Sequence, residues 1–155
     1  MRTRLWLVAA AVALVAADPP KADPAKDELA IIQGTWRMVS AEANGMKMPE
    51  EQAKAITRTI TGDKYEITRN GQPAGKGTMT LDPTKTPRTV DAETTVRGED
   101  GTPKAVKLQG IYELDGDTMR TCLAEPGKDR PTEFATKPGS GHRLYVWKRE
   151  KTEKK

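Results

Sequence analysis

Few side chains in this sequence combine the right types at the right spacing to do chemistry. Ser140 and His142, in the run PGSGH, supply the residue types of a nucleophile and its base. The local pattern does not serve that reaction: a nucleophile elbow needs glycine two residues before and two after the serine, and position 138 is Pro138. His142 is the single histidine and Cys122 the single cysteine, too few for an ordinary zinc set. Asp82, Asp91, Glu93, Asp115 and Asp117 have the hard oxygens that calcium prefers. Their settings favour turns and solvent instead. Asp82 precedes Pro83 and Thr84, Asp115 and Asp117 flank Gly116, and Asp91 and Glu93 share one face of an alternating segment. Cys122 reads as a small apolar residue. No catalytic residue, metal site or cofactor is expected, so the chain reads as a non-enzyme.

Arg58 is different. In ITRTIT it shares parity with Ile56 and Ile60, while Thr57, Thr59 and Thr61 take the other face. A guanidinium on an inward face is costly unless paired. Two placements answer that cost. Arg58 could lie near a barrel mouth, reaching water or Glu42, or it could join Tyr65 or Tyr112 in holding the carboxylate of an amphipathic ligand.

The chain that must position these groups has 155 residues and a formal charge of +4. Arg2 and Arg4 precede an apolar run from Leu5 to Val15, and Val15, Ala16 and Ala17 offer a small-residue cleavage site. Residues 1–17 are therefore expected to be a cleavable signal peptide, and the protein to be secreted or periplasmic. The run is too short to span a bilayer, so no stable membrane insertion is expected after cleavage. Residues 18–27, DPPKADPAKD, read as a flexible tether, 28–150 as one folded domain and 151–155 as a charged tail. The basic residues are spread without interleaved aromatics, which argues against a nucleic-acid partner. A monomer without an internal disulfide is expected.

Within the domain, DELAII is expected to make one helical turn capped by Asp27, and MPEEQAKAI a short helix with Pro49 in its first position. The rest alternates with period two between turn signals. Strands are expected near 35–43, 57–61, 64–69, 77–81, 88–97, 104–114, 118–124 and 143–149, with a short ninth at 132–135. Gly62-Asp63, Asn70-Gly71 and Asp115-Gly116 mark tight turns. The connection through 125–142 reads as a lid or a disordered loop, pinned by Phe134, with Arg130 and Lys137 on the surface.

Such strands either stack as a sandwich or close as a barrel. A helical turn leading into GTW on the first strand, with an arginine ending LYVWKR on the last, resembles the lipocalin-like superfamily. The resemblance implies that Gly34 and Trp36 close one end of a barrel and that Arg149 packs across the indole. The segments IQGTWRMVSAEANG, LDPTKTPRTVD, LQGIYELDGDTMRTC and PGKDRPTEFATKPGSGHRLYVWKR together look like an uncharacterised secreted domain family abundant in planctomycetes. That family implies no established activity. The expected fold is an all-β, antiparallel, up-and-down, lipocalin-like barrel of about eight strands with one or two short helices. The expected function is extracytoplasmic binding of a small apolar or amphipathic ligand. The alternative is a structural or inhibitor-like module that meets a protein partner and whose barrel is filled by side chains such as Met38, Met79, Leu81 and Leu108.

Overall fold

The computed structural model describes residues 21–97 and 100–151, so the expected signal peptide, the start of the tether and the end of the charged tail lie outside the described residues. In chain order the elements are α1 (Pro24–Ile31), β1 (Gly34–Ala43), β2 (Met46–Lys47), α2 (Glu50–Lys54), β3 (Ile56–Thr61), β4 (Lys64–Arg69), β5 (Gln72–Asp82), β6 (Thr89–Arg97), β7 (Pro103–Asp115), β8 (Thr118–Ala124) and β9 (His142–Arg149). From β3 onward each strand pairs antiparallel with the next, and β1 pairs with both β3 and β9. Eight strands thus close into an up-and-down barrel that leaves no open sheet edge. β2 is a short extra strand folded back on the end of β1.

The turns follow from residues that tolerate positive φ. Asn70 and Gly71 both adopt it between β4 and β5, as do Asn44 and Gly45 between β1 and β2, and Gly62 and Gly116 open two further tight hairpins. Inward alternation along the strands places Trp36, Met38, Ile60, Tyr65, Met79, Leu81, Tyr112 and Met119 in one buried cluster. Outside, Asp91 and Glu93 face solvent as their parity requires.

Besides β5, which begins at Gln72 rather than near residue 77, and Pro49, which caps α2 rather than opening it, three local features differ from the sequence expectation. The first helix starts at Pro24, with Asp23 as cap accepting from the Ala25 N–H at 3.1 Å, so part of the expected tether is helical. Proline at the first helical position and aspartate just before it outweigh the later Asp27. The short extra strand is Met46–Lys47, whereas 132–135 forms no strand. Finally, the long β8–β9 connection is tied down rather than left as a lid. Arg130, expected at the surface, donates to the carbonyls of Val90 and Gly110 at 3.1 and 2.7 Å and pairs with Asp91 at 2.6 Å. Phe134 lies beneath the Arg120 guanidinium, 4.6 Å from ring centroid to Cζ. Thr136 reaches Glu42, and Pro131 is fully buried.

Candidate functional site

The two ends of the barrel are built differently. At one end α1 crosses beneath the strands and Trp36, fully buried, donates its indole N–H to the Ile32 carbonyl at 2.9 Å. Arg149 stacks over that indole at 4.2 Å. Its guanidinium donates to the carbonyls of Gln33 and Ile31 at 2.6 and 2.8 Å and to Asp117 at 3.1 Å. Gly34 takes φ +107° and passes close to Arg149, a backbone conformation that a Cβ would strain. The floor also holds Glu28, which accepts from Arg88 at 2.7 Å and from the Tyr112 hydroxyl at 3.2 Å and so fastens α1 to β7. Burial and the adjacent Glu28 carboxylate push the Tyr112 phenol above its usual range.

Above this floor the barrel is hollow. A cavity of about 370 Å³ runs from Ile32 at the closed end to Arg69 and Arg143 at the open end. Its wall is mostly apolar: Met38, Ile56, Met79, Leu81, Val90, Leu108, Leu123 and Trp147 all contribute.

Arg58 lies inside this space. It is only 9 % exposed and lines the cavity. Its ladder neighbour is Trp36, which places its backbone just above the floor rather than at the mouth. The guanidinium crosses to β8 and β9, stacking on Trp147 at 4.4 Å and donating from Nη2 to the Met119 thioether at 3.5 Å. Its Nε is the one buried side-chain nitrogen or oxygen among the described residues with no hydrogen-bond partner. Burial pulls the Arg58 pKa down to about 10, opposed in part by Tyr65. Glu42, considered from sequence as its partner, is instead engaged by Thr136 and paired in register with Leu144 and Lys47.

The tyrosines part company. Tyr65 stands on β4, diagonal to Arg58, and lines the same cavity. Gly77 on β5 makes room for it: a Cβ there would fall 2.6 Å from the Tyr65 hydroxyl oxygen. Tyr112 presents its ring to the cavity but gives its hydroxyl to Glu28, so it is not the partner of Arg58.

The remaining chemical candidates are drawn into local structure. Ser140 Oγ accepts from the backbone N–H of His142, and the imidazole turns to the Asp129 carbonyl. Asp82 accepts from the Thr84 N–H and hydroxyl, which lowers its pKa. Asp91 pairs with Arg130 and Asp117 with Arg149. Cys122 is buried against the Ala135 carbonyl, and burial raises its thiol pKa. Among the described residues no cluster of His, Cys, Asp and Glu is arranged to hold a metal.

Trp147, Met119 and Thr121 belong to the site and were not singled out by sequence. Trp147 shares parity with Tyr145 and Arg149 in LYVWKR, a signal strong enough to place it inward. Glu28 and Arg88 carried no comparable signal, since their pairing depends on α1 folding beneath β5 and β7. No family model, no curated protein and no solved structure matches the chain.

Proposed function

We propose that this protein is an extracytoplasmic, lipocalin-like binding protein that carries a small amphipathic molecule inside its barrel. The observation that carries the reading is the hollow interior, an apolar cavity of about 370 Å³ closed at one end and containing an unpaired guanidinium. That volume lies at the small end of the range for ligand sites. It also weighs against the filled-barrel alternative, because a packed core leaves few voids larger than a water molecule. The arginine-led apolar segment at 1–17 supports export, and the family resemblance of GTW and the terminal arginine supports the lipocalin-like assignment.

The test is displacement of a neutral reporter, N-phenyl-1-naphthylamine, by small amphiphiles, monitored alongside quenching of Trp147 in the cavity wall. Saturable uptake of one dye per chain is expected. Absence of uptake by a folded protein would return the filled interaction module as the better reading. Export is checked separately, by finding Asp18 as the N-terminal residue of protein recovered outside the cytoplasm.

A further inference from the structure

We infer that the cavity takes its ligand head first: a singly charged carboxylate seats on Arg58 near the floor, and an apolar tail of roughly eight to ten carbons runs up the barrel to the mouth. This rests on the binding reading above and adds the charge, the orientation and the length of the ligand.

The charge follows from what the interior lacks. Arg58 has an orphaned Nε and one thioether acceptor, and no carboxylate among the described residues is paired with it. An oxyanion is the natural partner for a desolvated guanidinium, through charge-assisted hydrogen bonds. The other charges at the floor are already matched, Glu28 by Arg88 and Arg149 by Asp117. At this depth Arg58 is the one uncompensated positive charge among the described residues, Arg69 lining the cavity only at its exposed rim. The floor therefore calls for one negative charge, and a dianion would leave an excess in a low-dielectric space. Trp147 holds the guanidinium plane from one side, which preorganises it before the ligand arrives.

The orientation follows from depth. Arg58 is in register with Trp36, the residue that seals the closed end, whereas the wall toward the mouth is supplied by Ile56, Leu108 and Leu123. A tail lying head-out would set its terminal methyl against the guanidinium and leave that charge desolvated. The length follows from the strands. On β9 four residues separate Trp147, at the level of the guanidinium, from Arg143 at the rim. At about 3.3 Å per residue and a tilt near 40° this is about 10 Å of barrel, the reach of a medium-length chain.

The experiment titrates the purified protein with octanoate, octan-1-ol, methyl octanoate, octyl phosphate and 11-(dansylamino)undecanoate, the last bearing a bulky group at the far end of its tail. Octanoate should bind about tenfold or more tighter than the alcohol, the ester and the phosphate dianion. The dansyl acid should compete with octanoate, its label projecting from the mouth. Arg58→Met should remove the preference for acid over alcohol, and Arg58→Lys should restore part of it. Equal affinity for acid and alcohol on the wild type overturns the head-group assignment while leaving the binding cavity intact. Tight octanoate with exclusion of the dansyl acid overturns the orientation. If neither these ligands nor the neutral dye bind, the binding reading itself fails. The wild-type series decides even if the variants do not fold.

Discussion

Two arginines in this barrel lie on two tryptophans in nearly the same geometry, Arg149 on Trp36 at 4.2 Å and Arg58 on Trp147 at 4.4 Å. Their remaining contacts differ. Arg149 spends all three guanidinium nitrogens on two carbonyls and a carboxylate, so it joins the turn after α1 to the start of β1, the end of β9 and the β7–β8 turn. Arg58 has one sulfur acceptor and an unsatisfied Nε. The same cation–π stack therefore serves a completed structural joint at the floor and an incomplete one in the cavity. What separates a structural arginine from a receptor here is the state of its donors, since the indole is common to both.

Trp36→Ala removes the indole that both fills the floor and satisfies the Ile32 carbonyl, and should cost about 3 to 5 kcal/mol in urea denaturation. A cost below about 1 kcal/mol would mean that α1, not Trp36, closes the barrel. Arg149→Met should follow, with a loss of about 2 to 3 kcal/mol from the same measurement, because two carbonyls and Asp117 lose a charged donor.

Arg58→Met should have the opposite sign and stabilise the protein by about 1 kcal/mol, since it removes a desolvated charge without stranding a partner. A loss as large as that of Arg149→Met would show that Arg58 is a structural joint after all. The pH dependence gives a second check. Because burial lowers the Arg58 pKa to about 10, the folded protein releases this proton before the unfolded chain does. The penalty is therefore fully present below about pH 10 and is relieved only as pH rises beyond it. The stability gap between wild type and Arg58→Met should stay constant from about pH 5 to pH 9, measured by parallel urea titrations.

The smallest effect belongs to Tyr112→Phe, which deletes one hydrogen bond to Glu28 while leaving its pair with Arg88, and should cost about 0.5 kcal/mol. Octanoate affinity should be unchanged by it. A tenfold weaker affinity would move Tyr112 from the floor into the head-group site.

Sequence by itself determined most of the barrel strands, three of their tight turns and most of the faces, for a physical reason: alternation is local. A side chain's parity with its neighbours fixes which wall it joins, and Asn-Gly and Gly-Asp pairs fix where the chain reverses. That logic placed Trp36 and Arg58 on inward faces, and it would have placed Trp147. What parity cannot encode is which side-chain tips meet across the barrel. Only closure of β1 against β9 brings Trp147 beside Arg58, and only α1 folding beneath the strands carries Glu28 to Tyr112 and Arg88. Glu42 has the right charge, and strict alternation from Trp36 and Met38 would turn it inward. The register shifts between Met38 and Ser40, however, so Ala41 takes the inward place opposite Tyr145 and Glu42 pairs with Leu144 on the other face, where Thr136 of the long connection takes it. Whether the interior is hollow was likewise a tertiary matter. The same inward residues would fill a narrower barrel, and the ring of eight strands leaves space between them.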